Sequence, residues 1–259
     1  MDLTVGPSFA MLFRWLHIAA GILWVACLIS FSFVSARDVN RARQKKVAPE
    51  PMRRALPVLR WGAASTWVSG MVLTLLGYYA LDQLVRHEVR LETRYGLTVD
   101  FTRATDEPVI GRAAGIVISL TVIALSSLAY EAVWRTLRTR ARIAGATSYL
   151  LFVVTLYVLS RFFTGRAVFM HAGALLGTAM AMNVWMRGGL ARSDIVRRSR
   201  QNAYMSVPAV LAMLATHDAA ISDREDTWAV MAIIVAVSWA ATAWLLGRSA
   251  SAMVAAPSS

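Results

Sequence analysis

The sequence predicts an all-α fold: a polytopic transmembrane bundle of seven helices, N-terminus outside and C-terminus cytoplasmic. Three observations carry this. Of 259 residues, 57% are apolar and only 16% are charged, where soluble domains carry roughly 25% charged residues. The apolar residues gather into seven runs that meet or approach the roughly 20 residues a helix needs to cross a bilayer. Lys and Arg cluster between those runs, mostly on one side. The net charge of +12 therefore reads as membrane topology, and a nucleic-acid-binding domain is excluded.

The runs are 8–35, 61–81, 113–134, 143–161, 166–186, 203–219 and 228–247, and residues 1–247 form one domain. The first is about 28 residues long and lacks a basic leader or cleavage site, so it is expected to be retained rather than cleaved. The sixth is the shortest. It contains Pro208, where a kink is expected, and ends at His217-Asp218. Between the second and third runs lies the one sizeable outer loop, 82–112. Leu81, Leu84, Val85, Leu91 and Tyr95 among its charges predict either an amphipathic surface helix or a solvated loop. The Ala/Ser tail 248–259 is expected to be a disordered cytoplasmic extension.

Charge orients the bundle. The loops 36–60, 135–142 and 187–202, with the tail, carry 18 of the 27 Lys and Arg but only three acids, Asp38, Glu50 and Asp194. By the positive-inside rule these segments face the cytoplasm, and the expected location is the bacterial inner membrane. The single cysteine, Cys27, excludes an internal disulfide and a cysteine metal site, and no CxxCH motif for covalent haem occurs.

Ionisable groups within the bilayer cost roughly 2.5–3.5 kcal/mol each, so each needs a reason. Three of the four histidines, His17, His171 and His217, fall in membrane runs, all toward the outer face; His87 is in the outer loop. Arg14, His17, Gly21 and Trp24 share one helix face, and Gly21 would let a flat macrocycle approach the backbone. Arg161 and Arg166 flank the turn before His171. Arginine suits bidentate carboxylate recognition. The pattern fits a haem b held by axial His17 and His171, with His217 as alternate ligand and Arg14, Arg161 and Arg166 on the propionates. The same histidines also fit interhelical hydrogen-bonding glue, a proton relay, or, least well, a zinc site. Gly173, Gly177 and Ala181 read as a helix-packing stripe.

A second polar group lies toward the cytoplasm: Glu131, Asn183, Gln201, Asn202 and Tyr204. Glu131 pairs most simply with Arg135 at i+4. Alternatively the group forms an inner pocket for a polar substrate or a quinone headgroup.

Phe13-Arg14-Trp15-Leu16-His17 with Gly21 and Trp24 resembles the first helix of the membrane domain of PuuD-type urate hydroxylases. Arg60-Trp61-Gly62 with Trp67 and Gly70 resembles the second. Phe169-Met170-His171-Ala172-Gly173-Ala174, Gly177-Thr178 and Asn183-Val184-Trp185 resemble the fifth, and Arg198 to Pro208 with His217 the next. The resemblance spans roughly residues 8–247. It implies a membrane bundle associated with urate oxidation that ordinarily precedes a cytochrome c domain. Without a CxxCH, a separate periplasmic cytochrome c or other redox subunit is the expected acceptor. Gln201 stands where the family commonly has His.

The expected function is thus a haem b electron-transfer protein of the membrane, whether a urate-oxidising subunit or the anchor of a larger dehydrogenase. The rival is a non-redox transporter or assembly scaffold. Polar groups near the two faces, with few between, argue against a transport path.

Overall fold

A computed structural model describes residues 7–32, 50–75, 87–91, 104–185, 192–222, 224 and 226–255. The order of elements is α1 (Pro7–Ser32), α2 (Glu50–Val72), β1 (His87–Leu91), β2 (Ala104–Pro108), α3 (Arg112–Thr136), α4 (Ala141–Ser160), α5 (Gly165–Trp185), α6 (Arg192–Ala215), α7 (Ala219–Ser222) and α8 (Thr227–Ala255). Five of these, α1, α3, α4, α5 and α8, contain stretches long and apolar enough to cross a membrane. This is a helical membrane protein.

α5 is the hub. Of its apolar stretch 78% is buried inside the bundle, against 17–28% for the other four, which turn most of their apolar surface outward as lipid-facing helices do. α5 packs against α2, α3, α4, α6 and α8, whereas α1 packs against α2 and α6. Small residues let α5 sit this close: Ala167, Ala172, Gly173 and Ala179 are all buried. At its start, a Cβ on Gly165 would run into the Ser222 carbonyl oxygen, so α7 pins the helix end only because this residue is glycine.

Two helices begin earlier than the apolar runs suggest. α2 starts at Glu50 and α6 at Arg192, each with a charged first half. Hydropathy marks where a helix meets lipid, not where the backbone starts to coil. α6 runs through Pro208 as one helix. The stretch 76–81 of the second run lies outside the described residues.

Two expectations are corrected. In the loop 82–112 the described residues pair as antiparallel strands, His87 opposite Pro108 and Leu91 opposite Ala104. Val89 and Leu91 on alternate positions fit a strand period as well as a helical one over so short a stretch. Leu81, Leu84, Val85 and Tyr95 lie outside the described residues. The tail is not irregular from 248: α8 continues to Ala255, because Ala is the strongest helix former and no Pro intervenes before Pro257.

Aromatic pairs mark the two ends. Trp61 and Trp185 meet edge to face at 6.1 Å, and the Trp185 indole N–H donates to the Arg60 carbonyl. At the opposite end Tyr157 and Trp228 meet at 5.3 Å.

Candidate functional site

The histidine-bearing end is built from two separate seams. In the first, α1 lies on a groove of small residues on α2. Trp24 sits against Gly62, and Ala63 is fully buried beside them. The hydroxyls of Thr66 and Ser69 fold back onto the Gly62 and Ser65 carbonyls, and Ser69 Oγ also lies 3.2 Å from His17 Nδ1. His17 is half-buried here. Its Nδ1 lies 2.8 Å from the Thr66 carbonyl oxygen. That oxygen can only accept, so Nδ1 carries the proton and Nε2 the lone pair. Gly70 lies under the ring: a Cβ there would come within 2.8 Å of His17 Cε1. Gly21, by contrast, faces the Thr66 methyl group at ordinary contact distance.

The second seam joins α5 to α3. His171 is buried, 1% exposed, with its ring centroid 4.9 Å from that of Phe163. Nδ1–H donates to the Ala167 carbonyl one turn back at 2.6 Å, so Nε2 accepts from the Ser119 hydroxyl at 2.5 Å. Both histidines therefore present the same tautomer. A backbone carbonyl fixes Nδ1–H, the arrangement that orients a histidine as an Nε2 metal donor.

The other residues singled out from the sequence are placed at the periphery of these seams. Arg14 and Arg161 are exposed and Arg166 is half-buried. His217 is exposed just beyond the end of α6, its Nδ1 3.1 Å from the Met213 carbonyl oxygen. His17 and His171 do not share a seam, and α2 packs against both of their helices. Trp67 of α2 bridges to α5 through an indole N–H donated to the Thr178 hydroxyl at 2.9 Å.

At the other end, α3, α5 and α6 enclose a polar network. Arg198, 7% exposed, donates to the Asn183 carboxamide oxygen at 2.7 Å and lies 3.8 Å from the Glu131 carboxylate. Glu131 also receives Arg135 at 3.0 Å. Asn183 donates to Asn202 at 2.8 Å and to the Tyr130 hydroxyl at 3.2 Å, and Asn202 donates to the Met180 carbonyl. Glu131, Asn183 and Asn202 are thus bound to one another. Gln201 and Tyr204 line a neighbouring cavity of about 960 Å³ with Arg138, Arg142 and Arg200 among its walls.

Sequence reading missed Thr66, Ser69, Gly70 and Ser119 as histidine partners, and Arg198 as the centre of the inner network. Gly70 was visible as a residue of the second helix's motif, but only the fold reveals that it faces His17. Ser119 is 52 residues from His171, and nothing local to either marks the pairing. Among the described residues no group of three or more His, Cys, Asp or Glu side chains is arranged to hold a metal ion.

A membrane helix bundle with carbonyl-oriented histidines at one end and a buried Arg–Glu–Asn network at the other defines the class. A family model described as urate oxidase N-terminal matches residues 39–188, more than half of the chain. The chain belongs to the urate oxidase N-terminal family, as a urate hydroxylase-like membrane domain. The matched stretch contains Ser119, Glu131, His171 and Asn183, while His17, Arg198, Asn202 and His217 lie outside it. No curated protein and no solved structure matches the chain.

Proposed function

We propose that this protein is a haem b electron-transfer protein of the bacterial inner membrane, crossing it seven times with the N-terminus outside. In this reading it oxidises urate, or serves an enzyme that does, and delivers electrons to a periplasmic cytochrome c or similar acceptor. The observation that carries the reading is the shared state of the two histidines. His17 and His171 each commit Nδ1–H to a main-chain carbonyl, which puts the lone pair on Nε2, the one on His171 accepting from Ser119, within a chain of the urate oxidase N-terminal family.

Haem b would supply one-electron redox chemistry. His17 and His171 are the assigned iron ligands, Thr66 and Ala167 fix their tautomers, and Gly70 leaves the room that the His17 ring occupies. Arg14, Arg161 and Arg166, at the same end, are assigned to anionic propionates, which arginine meets with paired N–H donors. Exposed His217 is assigned to the docking edge for the acceptor, with ligation as its alternative.

The test is an absorption spectrum of the purified, dithionite-reduced full chain. A sharp b-type α band supports the reading, and a featureless spectrum overturns it. Haem-to-chain stoichiometry then counts the groups bound. With haem present, urate-dependent reduction of added cytochrome c identifies a catalytic subunit; silence identifies an electron-transfer anchor for another dehydrogenase.

A further inference from the structure

The cavity at the arginine-bearing end is used by neither histidine, and its chemistry is one-sided. Arg138, Arg142 and Arg200 stand in its wall, and no acidic side chain does among the described residues. Trp134, Ser148 and Trp239 also contribute to the wall, with Trp134 Nε1, Ser148 Oγ and Trp239 Nε1 sunk behind its surface and without a hydrogen-bond partner among the described residues. Buried donors without partners are rare because each costs about 1–3 kcal/mol. A wall that carries three cations and no acid calls for a ligand of negative charge.

Much of the rest of the wall is apolar, including Leu125, Leu151, Phe152, Leu175 and Val235. Leu125 and Leu151 are also 61% and 42% exposed, so the cavity adjoins surface of the kind that faces lipid. Arg142 and Thr155, both lining residues on α4, are thirteen positions apart, about 20 Å at the helical rise. That compares with roughly 15 Å for one leaflet's half of a ~30 Å hydrocarbon core. A volume of about 960 Å³ lies at the upper end of the roughly 300–1,000 Å³ range of small-molecule pockets, more than a compact anion fills.

The geometry points to a binding site for an anionic phospholipid of the surrounding bilayer, its phosphate among Arg138, Arg142 and Arg200 and an acyl chain along the α3–α4–α5 wall. Basic pockets between membrane helices take anionic headgroups in this way.

The experiment is native mass spectrometry of the full chain in detergent, titrated with phosphatidylglycerol or phosphatidylcholine. Phosphatidylglycerol is expected to bind at least tenfold more tightly. The triple variant Arg138→Gln/Arg142→Gln/Arg200→Gln should erase that preference. A second variant guards against misfolding: Gly145 lines the cavity, and a Cβ there meets nothing within 4 Å, so Gly145→Trp fills the space with every arginine in place. It should lower phosphatidylglycerol binding at least tenfold. Equal affinity for the two lipids, binding unchanged in either variant, or displacement of phosphatidylglycerol by a neutral quinone would each overturn the assignment. The haem spectrum is read on the same samples, so failure of the lipid site is separable from failure of the redox reading.

Discussion

The two ends of the bundle handle buried polarity in opposite ways. At the arginine end, Arg198, Glu131, Asn183, Asn202 and Tyr130 bind one another. At the histidine end each imidazole is held at Nδ1 by a backbone carbonyl, and the Nε2 lone pair of His171 accepts from the Ser119 hydroxyl. A network whose members bind one another rigidifies and specifies packing. An imidazole oriented through one nitrogen carries on the other a lone pair that can pass from a hydroxyl to a metal. The difference separates a structural lock from a candidate redox site, though both are polar groups sunk in lipid-soluble helices.

The largest expected effect breaks the lock. Arg198→Ala removes the buried cation beside Glu131 and keeps Arg135, whose side chain is 61% exposed. Removing one partner of a buried pair costs about 3–5 kcal/mol, so the variant should unfold at clearly lower temperature in detergent. Arg135→Ala, which removes an exposed cation and leaves Arg198 beside Glu131, should cost clearly less, about 1 kcal/mol. Equal losses in thermal unfolding would show that the network is not what holds α3, α5 and α6 together.

The second effect concerns the histidine end and leaves the fold standing. His17→Ala and His171→Ala should each abolish the low-spin b-type band while far-ultraviolet circular dichroism stays helical. His87→Ala, in the strand pair, should keep it. A band that survives His171→Ala but vanishes with His87→Ala would move the site out of the bundle altogether.

The third is a contrast between two glycines. Gly70→Ala drives a methyl group into the His17 ring, which must leave its place over the Thr66 carbonyl. Gly21→Ala meets only the Thr66 side chain at 3.7 Å. Haem content of purified protein should therefore fall in Gly70→Ala and hold in Gly21→Ala. The reverse result would restore Gly21 as the point where a macrocycle approaches.

That contrast also measures what the sequence can say. The helical spans and their apolar faces were legible because lipid demands long uninterrupted runs. The histidines stood out because charge-capable groups in such runs need a reason. Gly21 was chosen by spacing along one helix, and spacing does not report what the opposite helix brings: Gly70, Thr66 and Ser69 come from α2. Arg198 went unremarked as a buried group because α6 begins in a run of charges that reads as loop, so hydropathy placed the helix start at 203. The strand pair was hidden for a similar reason, since five residues cannot separate a period of 2 from one of 3.6.

The smallest effect is also the one that distinguishes a ligand from interhelical glue. Ser119 donates to His171 Nε2, the atom assigned to iron. If the hydrogen bond is what His171 exists for, Ser119→Ala strands a buried acceptor and lowers stability by about 1 kcal/mol, with or without haem. If Nε2 belongs to iron, the serine serves only the haem-free protein. The variant then loses stability without haem and stays within about 0.5 kcal/mol of the parent with haem bound, its reduced spectrum unchanged. Thermal unfolding of both proteins, each prepared with and without haem, reads the difference directly. A loss that is the same in both states would assign His171 to packing and leave His17 as the histidine on which ligation rests.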